Sequence, residues 1–268
     1  MRWGEDLAIY KRKDELETIT QIDRLLSTKG YFRNSVTVDS LELDSIRGMK
    51  RFFKNFRNSF SGLSGAKHRY VDQIYHVEKG PRYSIDSNKY EVEDPAIELL
   101  IKENLENAPL QKGFYDQQLL TDERDFVYDL AVNNGYYEFN KQYIGFEVDS
   151  TLLGDKKLVI KQIVRNPKNK ERHNVFYLDS IIFISDASAS ISNKNRIIDR
   201  HQGITFNFGK RTFSKKILRW RIPLEEGERY SRDKTIETQR QLYFLDNSKF
   251  ININYDTTDR RFIANIFT

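Results

Sequence analysis

The feature that most constrains this fold is a repeated succession of a helix, a glycine, an aromatic pair and a strand. It occurs at Gly30, in the segment STKGYF, and again at Gly135, in NNGYYEF. Glycine adopts the left-handed conformation that ends a helix without steric cost, so each copy predicts a helix C-cap followed by a strand. A chain with such copies is expected to fold as a series of related α+β units.

Apolar periodicity supports this order in both copies. Asp14 to Thr28 has apolar residues at helical spacing, and so does the segment that begins near Asp116, a good N-cap residue. After the glycines, alternation of apolar and polar residues predicts a strand over Val36 to Leu43 and a β-hairpin formed by Ile144 to Val148 and Leu158 to Val164.

A third copy departs from the pattern at its helix end. Ile236 to Leu245 predicts the helix, and Ser248 stands where the glycine is expected. Asn247 is the alternative left-handed cap, since asparagine tolerates that conformation better than most residues. The strands of the third hairpin are predicted over Ile251 to Tyr255 and Phe262 to Phe267.

A shared turn precedes the second and third of these helices. GFYD at Gly113 to Asp116 and GERYS at Gly227 to Ser231 each place an aromatic before a capping residue, the position of a hydrophobic staple. Ahead of each turn a further helix is predicted, from Asp94 with Pro95 at the first helical position, and from Ser214. Ahead of each of these helices a strand is predicted, over Tyr83 to Val92 and over Val175 to Ile184. The complete unit is strand, helix, helix, strand, strand.

Composition limits the classes of function. Of 268 residues, 38% are hydrophobic and 31% charged, and apolar runs such as Ile181 to Ile184 are far shorter than the roughly 18 to 20 residues of a membrane-spanning helix. Cysteine is absent, which removes disulfides and thiolate chemistry. The net charge of +5 permits an anionic partner, but basic and acidic residues are interspersed along most of the chain.

One segment is distinctly basic and aromatic. Met49 to Arg57 reads MKRFFKNFR, inside an insertion from about Asp44 to His68 that interrupts the hairpin of the first unit. We interpret it as a surface insertion; the alternative is a contact with an anion or a membrane surface.

The sequence contains no pattern that predicts catalysis, a metal site or a cofactor. The histidines are separated and form no zinc-binding pair, and no phosphate-binding glycine loop is present. DERD at Asp122 to Asp125 is interpreted as the solvated face of a helix. We therefore expect no enzyme, no cofactor and no metal. The four histidines are His68, His76, His173 and His201.

The order of elements, with the GYF and GYY helix ends and the GFYD and GERYS turns, resembles the polypeptide-transport-associated (POTRA) domains of the BamA/TamA superfamily. The resemblance implies tandem α+β repeats, each a three-stranded mixed sheet covered on one face by two helices. We expect a first repeat over 1–82, truncated at its N-terminus and carrying the basic insertion near 44–68, a second over 83–172 and a third over 173–268. YHVEKGPRYSI, from Tyr75 to Ile85, links the first repeat to the second.

The resemblance also implies a location. Members of the family are periplasmic, with a signal peptide before the repeats and a C-terminal membrane β-barrel after them. The N-terminal segment MRWGEDLAIYKRKDE has no signal-peptide pattern, so the protein is either cytoplasmic or a piece of a longer chain. We expect a fragment attached to the outer membrane of a Gram-negative bacterium in its full-length form.

The expected activity is binding by strand addition at a sheet edge, with unfolded outer-membrane polypeptides or accessory assembly subunits as partners. In the family the edge is the first strand of the C-terminal hairpin. The alternative is that these strands only close their own domains. The candidate edge residues are Tyr143, Ile144, Phe146, Val148, Phe250, Ile251, Ile253 and Tyr255.

The glycine-aromatic segments are interpreted as structural turns in which at least one ring of each pair points into the core between helix and sheet, because burying one such ring removes about 150–250 Å² from water. Their residues are Gly30, Tyr31, Phe32, Gly135, Tyr136 and Tyr137. Two competing functions remain: a nucleic-acid-binding protein, suggested by the charge and the 13% of aromatic residues, and a hydrolase with an unrecognised site. Charges of both signs in every repeat favour the binding module, and no nucleic-acid partner is expected.

Overall fold

The computed structural model describes residues 11–44, 69–151, 156–185, 196–209, 214–245, 251–258 and 260–268. The helices in this part of the chain are α1 (Arg12–Thr28), α2 (Pro95–Glu103), α3 (Gln117–Asn133), α4 (Lys215–Arg221) and α5 (Arg232–Tyr243). The strands are β1 (Ser35–Asp44), β2 (Arg69–Glu78), β3 (Ser84–Val92), β4 (Gly113–Phe114), β5 (Ile144–Asp149), β6 (Lys157–Val164), β7 (Tyr177–Ile184), β8 (Ile197–His201), β9 (Ile204–Phe208), β10 (Asn252–Thr258) and β11 (Arg261–Phe267).

The predicted helix ends are present at both glycines. Gly30 has φ +87° and Gly135 φ +99°. In each case the following tyrosine donates its backbone N–H back into the helix, Tyr31 to the Leu26 carbonyl at 3.0 Å and Tyr136 to the Ala131 carbonyl at 3.2 Å. This bond satisfies a carbonyl that the helix itself leaves without a partner. The Asn247 cap predicted for the third copy lies outside the described residues.

The predicted N-caps also form. Asp94 accepts the backbone N–H of Ala96 at 3.0 Å at the start of α2, and Asp116 accepts that of Gln118 at 3.0 Å at the start of α3. Ser214 and Ser231 cap α4 and α5 in the same way. Each cap satisfies a backbone donor of the first turn, which fixes where the helix begins.

The first hairpin is paired across the insertion. β1 and β2 are antiparallel from Ser35 opposite Glu78 to Asp44 opposite Arg69. Asp44, directly before residues 45–68, is thus paired with Arg69, directly after them, as expected if that segment interrupts a hairpin. The basic segment Met49 to Arg57 lies outside the described residues.

The second and third sheets are larger than the predicted three strands. The second has the order β4-β3-β6-β5, in which β4 pairs only with Ser84 and Ile85 of β3. The third has the order β10-β11-β7-β9-β8, in which the hairpin β8–β9 adds to the side of β7 away from β11. β7 is parallel to both β11 and β9, so the sheet is mixed. The predicted α+β class is confirmed.

The chain forms two compact units. An N-terminal unit contains Met1–Asp86, Lys112–Gln118 and Ser150–Leu158, and a C-terminal unit contains Ser87–Gln111, Leu119–Asp149 and Val159–Thr268. Their bounds differ from the repeat bounds expected at 82/83 and 172/173, and the division into three domains stays a prediction. In the C-terminal unit the largest fully buried side chains include Phe206, Phe208, Phe262, Ile97, Ile101 and Ile160.

The DERD segment differs from its interpretation as a solvated face, because Glu123 is fully buried on α3. Its carboxylate accepts the backbone N–H of Leu110 at 3.0 Å and the hydroxyl of Tyr90 at 3.2 Å. Burial raises the pKa of the Glu123 carboxyl, while these two donors act in the opposite direction. The carboxylate thus connects α3 to the segment before the turn and to β3.

Replacing Glu123 with alanine should lower the free energy of unfolding by about 2–4 kcal/mol, because two buried donors lose their acceptor at about 1–3 kcal/mol each. Urea unfolding followed by circular dichroism measures the loss. The matched control is Asp125→Ala on the same helix, which removes an exposed ion pair with Lys141 and should cost less than about 1 kcal/mol. Equal losses in the two variants would contradict the role of Glu123.

Candidate functional site

β5 is an edge strand of the second sheet, with β6 on one side and no described strand on the other. The Arg165 N–H donates to the Tyr143 carbonyl at 2.9 Å, which makes these two residues a hydrogen-bonded pair just before β5. Hydrogen-bonded and non-hydrogen-bonded pairs alternate along an antiparallel ladder. Ile144, Phe146 and Val148 therefore form the non-hydrogen-bonded pairs with β6, and their N–H and C=O groups point away from it. These three are among the predicted edge residues.

Arg124 of α3 covers only the first part of this edge. Ile144 is buried, and its carbonyl accepts a hydrogen bond from Arg124 Nε at 3.4 Å. The same guanidinium lies over the Phe146 ring, 5.3 Å from its centroid. Val148 is 42% exposed. The outward main chain at Phe146 and Val148 is therefore the part of β5 that an incoming strand can pair with.

Tyr143 has a different place. It ends the 3-10 turn Lys141–Tyr143 that precedes β5, and its ring packs against Phe139 and His173 with centroids 5.7 and 4.9 Å away. Its position is that of a packing residue at the entry to the strand.

β10 is the corresponding edge of the third sheet, with β11 on one side. Ile253 is largely buried, and the Tyr255 hydroxyl lies 2.5 Å from Thr235 Oγ1 of α5. Burial raises the pKa of Tyr255 well above its usual value. Ile251 directly precedes the strand, and Phe250 lies outside the described residues. The side chains of this edge are thus held on the helical face while its backbone borders no other described strand.

The glycine-aromatic segments build two junctions with the same hydrogen-bond pattern. In the first, the Gly30 carbonyl accepts the N–H of Tyr83 at 2.9 Å, and the Tyr83 carbonyl accepts the N–H of Tyr115 at 3.0 Å. The Phe32 ring packs between those two tyrosines, with centroids 5.2 and 5.3 Å away. A helix end, a strand start and a capping turn therefore meet at one point in the N-terminal unit.

The second junction repeats this arrangement in the C-terminal unit. The Gly135 carbonyl accepts the N–H of Phe176 at 2.8 Å, and the Phe176 carbonyl accepts the N–H of Tyr230 at 2.9 Å. Tyr137 packs edge-on against Phe176 and Tyr230, with centroids 5.9 and 4.9 Å away, and also against Phe262 at 4.9 Å. The staple position predicted for Tyr115 and Tyr230 is thus a junction position as well.

The two aromatics of each pair have different roles. Tyr136 is buried in the core, in agreement with its interpretation, and Tyr31 is half-buried. Phe32 and Tyr137 remain 41% and 45% exposed although each contacts other rings. The second aromatic of each pair is therefore the one that packs against the aromatic residues of the following strand start and capping turn.

Each junction is reinforced by a different polar set. In the first, Lys29 pairs with Asp116 at 2.7 Å, and Arg82 donates from Nε to the Lys29 carbonyl at 3.0 Å. In the second, Asn133 Oδ1 accepts both the Ser231 hydroxyl, at 3.1 Å, and the Asp233 N–H, at 2.9 Å. Asn133, two residues before the glycine, therefore contacts the N-terminal cap of α5.

His173 anchors the segment between β6 and β7. Its backbone N–H donates to Asp94 Oδ2 at 2.8 Å, and its Nε2 lies 3.1 Å from the Arg165 carbonyl. Burial lowers the pKa of His173; the Arg165 carbonyl and the Asp94 carboxylate act in the opposite direction, and Lys170 lowers it further. The neutral imidazole is the form that this site favours.

The other described histidines lie apart from this site. His76 pairs with Asp39 at 3.2 Å on the exposed hairpin β1–β2, and His201 ends β8. Within the described ranges no group of His, Asp and Glu residues could hold a metal ion, and no helix is long and apolar enough to cross a membrane.

Neither a family model nor a curated protein matches the chain. Among solved structures, it is similar to BamA POTRA3-5 of Haemophilus influenzae, with 12% identity over 99% of this chain and 83% of that chain and a TM-score of 0.40. It is also similar to BamA of Haemophilus ducreyi lacking POTRA domains 1-3, with 12% identity over 69% of this chain and 29% of that chain and a TM-score of 0.46. A further similar structure is POTRA1-2 of Omp85 from Anabaena, with 11% identity over 70% of this chain and 96% of that chain and a TM-score of 0.36.

Replacing Gly135 with alanine should destabilise the second junction. A Cβ at this position would lie 2.8 Å from Val175 Cγ1 and 3.3 Å from the Phe176 carbonyl oxygen, and the left-handed backbone alone costs a residue other than glycine about 1–2 kcal/mol. We expect a loss of at least that size in the free energy of unfolding, measured with urea. Gly145→Ala is the matched control, since its Cβ would meet nothing within 4 Å.

Stability should fall as the pH drops below about 6.5, the ordinary histidine pKa. Because the folded state lowers the pKa of His173, the unfolded chain binds more protons between that value and the folded one, and unfolding is favoured there. His173→Gln should reduce the difference between urea midpoints at pH 7.5 and pH 5.5, whereas His76→Gln, at an exposed position, should retain it. An unchanged pH response in His173→Gln would assign it to other groups.

Proposed function

We propose that this chain is a POTRA-type, non-enzymatic binding module of outer-membrane protein assembly, located in the periplasm. In this proposal β5 and β10 take up extended polypeptide segments by strand addition. The observation that carries it is the outward main chain of Phe146 and Val148, on an edge that no described strand covers. Unpaired N–H and C=O groups on such an edge are a template for another strand.

Main-chain pairing suits a varied set of clients, because it uses groups that nearly every residue carries. The strands of outer-membrane barrels alternate apolar and polar side chains over about ten residues. When such a segment pairs with β5, its apolar face can continue the face formed by Ile144, Phe146 and Val148. Unfolded outer-membrane polypeptides and accessory assembly subunits are therefore the proposed partners, and a C-terminal β-barrel of the full-length protein is the proposed anchor.

Both edges belong to the C-terminal unit. A client that pairs with β5 through one segment presents a second segment to β10 at high effective concentration, which raises the overall affinity without new contacts. The second junction holds together the repeats that contain these two strands. A binding region with two edges is thus available within one compact unit.

Nucleic acid fits the described surface less well. On the sheet around Lys161, the ammonium group lies 2.5 Å from Glu91 and 3.7 Å from Glu147, so the basic side chain is compensated by two carboxylates. A nucleic-acid surface requires a continuous basic face. The interleaved charges favour a polypeptide partner.

Proline at Phe146 should impair binding and leave the fold intact, because the N–H that it removes points away from β6. The probe is a fluorescent synthetic peptide with the alternating pattern of a barrel strand, titrated with the 268-residue chain and followed by anisotropy. We expect affinity to fall about tenfold, which corresponds to about 1.4 kcal/mol. Ile253→Pro tests β10 in the same way.

Two controls separate strand addition from other binding. Glu147→Pro removes an N–H that bonds to β6 and should lower the urea midpoint, unlike Phe146→Pro. The same peptide N-methylated at alternate residues keeps its side chains but cannot complete a ladder, and its affinity should fall toward that of the Phe146→Pro complex. Equal binding of the methylated and unmethylated peptides would overturn the proposed mechanism.

A further inference from the structure

Trp220 is the most exposed large hydrophobic residue in the described part of the chain, at 86%. It lies on α4, two residues from both Leu218 and Ile222, which are buried in the core. Two residues correspond to about 200° around a helix, so the indole points away from the core. Ile217, at 48% exposed, borders it on one side of the helix.

The segment that carries this indole is basic. From Gly209 to Ile222 the sequence contains basic residues and no acidic one. Lys216, next to Trp220 on the outward face, is exposed and makes no hydrogen bond or ion pair with any residue that the structure describes. Arg219 donates to the Ile222 carbonyl at 2.6 Å and also pairs with Glu225 at 3.4 Å, and Arg221 donates to the Gln241 side chain at 2.5 Å, so these guanidinium groups are held close to α4. Lys216 is therefore the cation that this surface leaves for an anionic partner.

The neighbouring edge strand carries a further exposed apolar side chain. Lys215 of α4 forms an ion pair with Asp199 of β8, which brings the strand beside the helix. Ile197 projects from the same face of β8 as Asp199, since alternate residues of a strand share a face, and it is 52% exposed. An apolar side chain of the strand therefore lies on the face that α4 covers.

We propose that α4, with Ile197 of β8, forms a surface that binds the interface of an anionic phospholipid bilayer; below, this set (Lys216, Ile217, Trp220 and Ile197) is the α4 surface. Tryptophan prefers the headgroup level, where its ring is apolar and its N–H is hydrogen-bonded. Basic side chains beside it complement the negative potential of such a bilayer. Reversible binding to a bilayer surface typically combines these two terms.

This surface is distinct from the proposed polypeptide-binding edges. Strand addition needs an unpaired backbone, whereas the exposed atoms of α4 are side chains of a hydrogen-bonded helix. The proposal therefore stands or fails independently of strand addition at β5 and β10. A lipid bilayer is favoured over a protein partner because the uncompensated charge next to the indole is basic and the bilayer supplies a continuous negative surface.

Fluorescence of Trp220 tests the proposal directly. The chain has two tryptophans, so Trp3→Phe leaves Trp220 as the only indole. With vesicles of phosphatidylcholine and phosphatidylglycerol, we expect a blue shift of the emission and quenching by brominated acyl chains. With vesicles of phosphatidylcholine alone, and at high salt, both effects should be much smaller, because the electrostatic term is lost.

Vesicle co-sedimentation of the 268-residue chain assigns the contact to residues. Trp220→Ala and Lys216→Glu should each weaken binding by about fivefold to tenfold, which corresponds to about 1–1.4 kcal/mol. Leu99→Ala removes a side chain that is 57% exposed on α2 and should bind as the parent does. Absence of a blue shift with anionic vesicles, or sedimentation that Trp220→Ala leaves unchanged, would overturn the proposal; the second result would direct attention to Met49 to Arg57.

Discussion

Each junction depends on the carbonyl group of a glycine whose backbone is in the left-handed conformation. At Gly30 and Gly135 this backbone ends a helix, and the glycine carbonyl accepts the N–H of the residue just before a strand, Tyr83 before β3 or Phe176 before β7. The carbonyl of that residue then accepts the N–H of the turn tyrosine, Tyr115 or Tyr230. Three elements that are distant in sequence are thus linked by two backbone hydrogen bonds, and the aromatic rings pack around them. A side chain at the glycine would displace the atoms that this linkage needs.

The ends and starts of these helices can be predicted from the sequence because each depends on a few neighbouring residues. Gly135 ends a helix for reasons contained in a few residues, and Asp94, Asp116 and Ser231 cap helices for equally local reasons. The edge position of β5 is expected from the POTRA resemblance rather than from local chemistry, and the strand order places β5 at the edge of its sheet. The shared contact of Tyr137 with Phe176 and Tyr230 is different. It joins three segments across about ninety residues of sequence, and only the folded arrangement shows which tyrosine of the pair makes it.

Two features of the fold were missed for separate physical reasons. Glu123 carries a charge and belongs to the acidic run DERD, so it is interpreted as solvated, although its spacing from Leu119 and Val127 places it on the apolar face of α3. The donors that its carboxylate needs, the Leu110 N–H and the Tyr90 hydroxyl, come from outside the helix. The hairpin β8–β9 has a local sequence signal of its own, a turn between two strand-like segments. Gln202 and Gly203 separate two alternating segments, and both have positive φ, +47° and +79°, as a tight hairpin turn requires.

That hairpin changes which strands form the edges of the third sheet. In the second sheet, β3 is covered by β4 only at Ser84 and Ile85, whereas in the third sheet β9 pairs with β7 over Ile181 to Ile184. The edge moves outward to β8, a five-residue strand with Asp199 and Arg200 paired to Lys215 and Glu226. A short edge strand with charged side chains resists pairing with another chain. In the third sheet β10 is thus the edge that we propose for strand addition, and the exposed side chains of α4 form the separate surface that we propose for a bilayer.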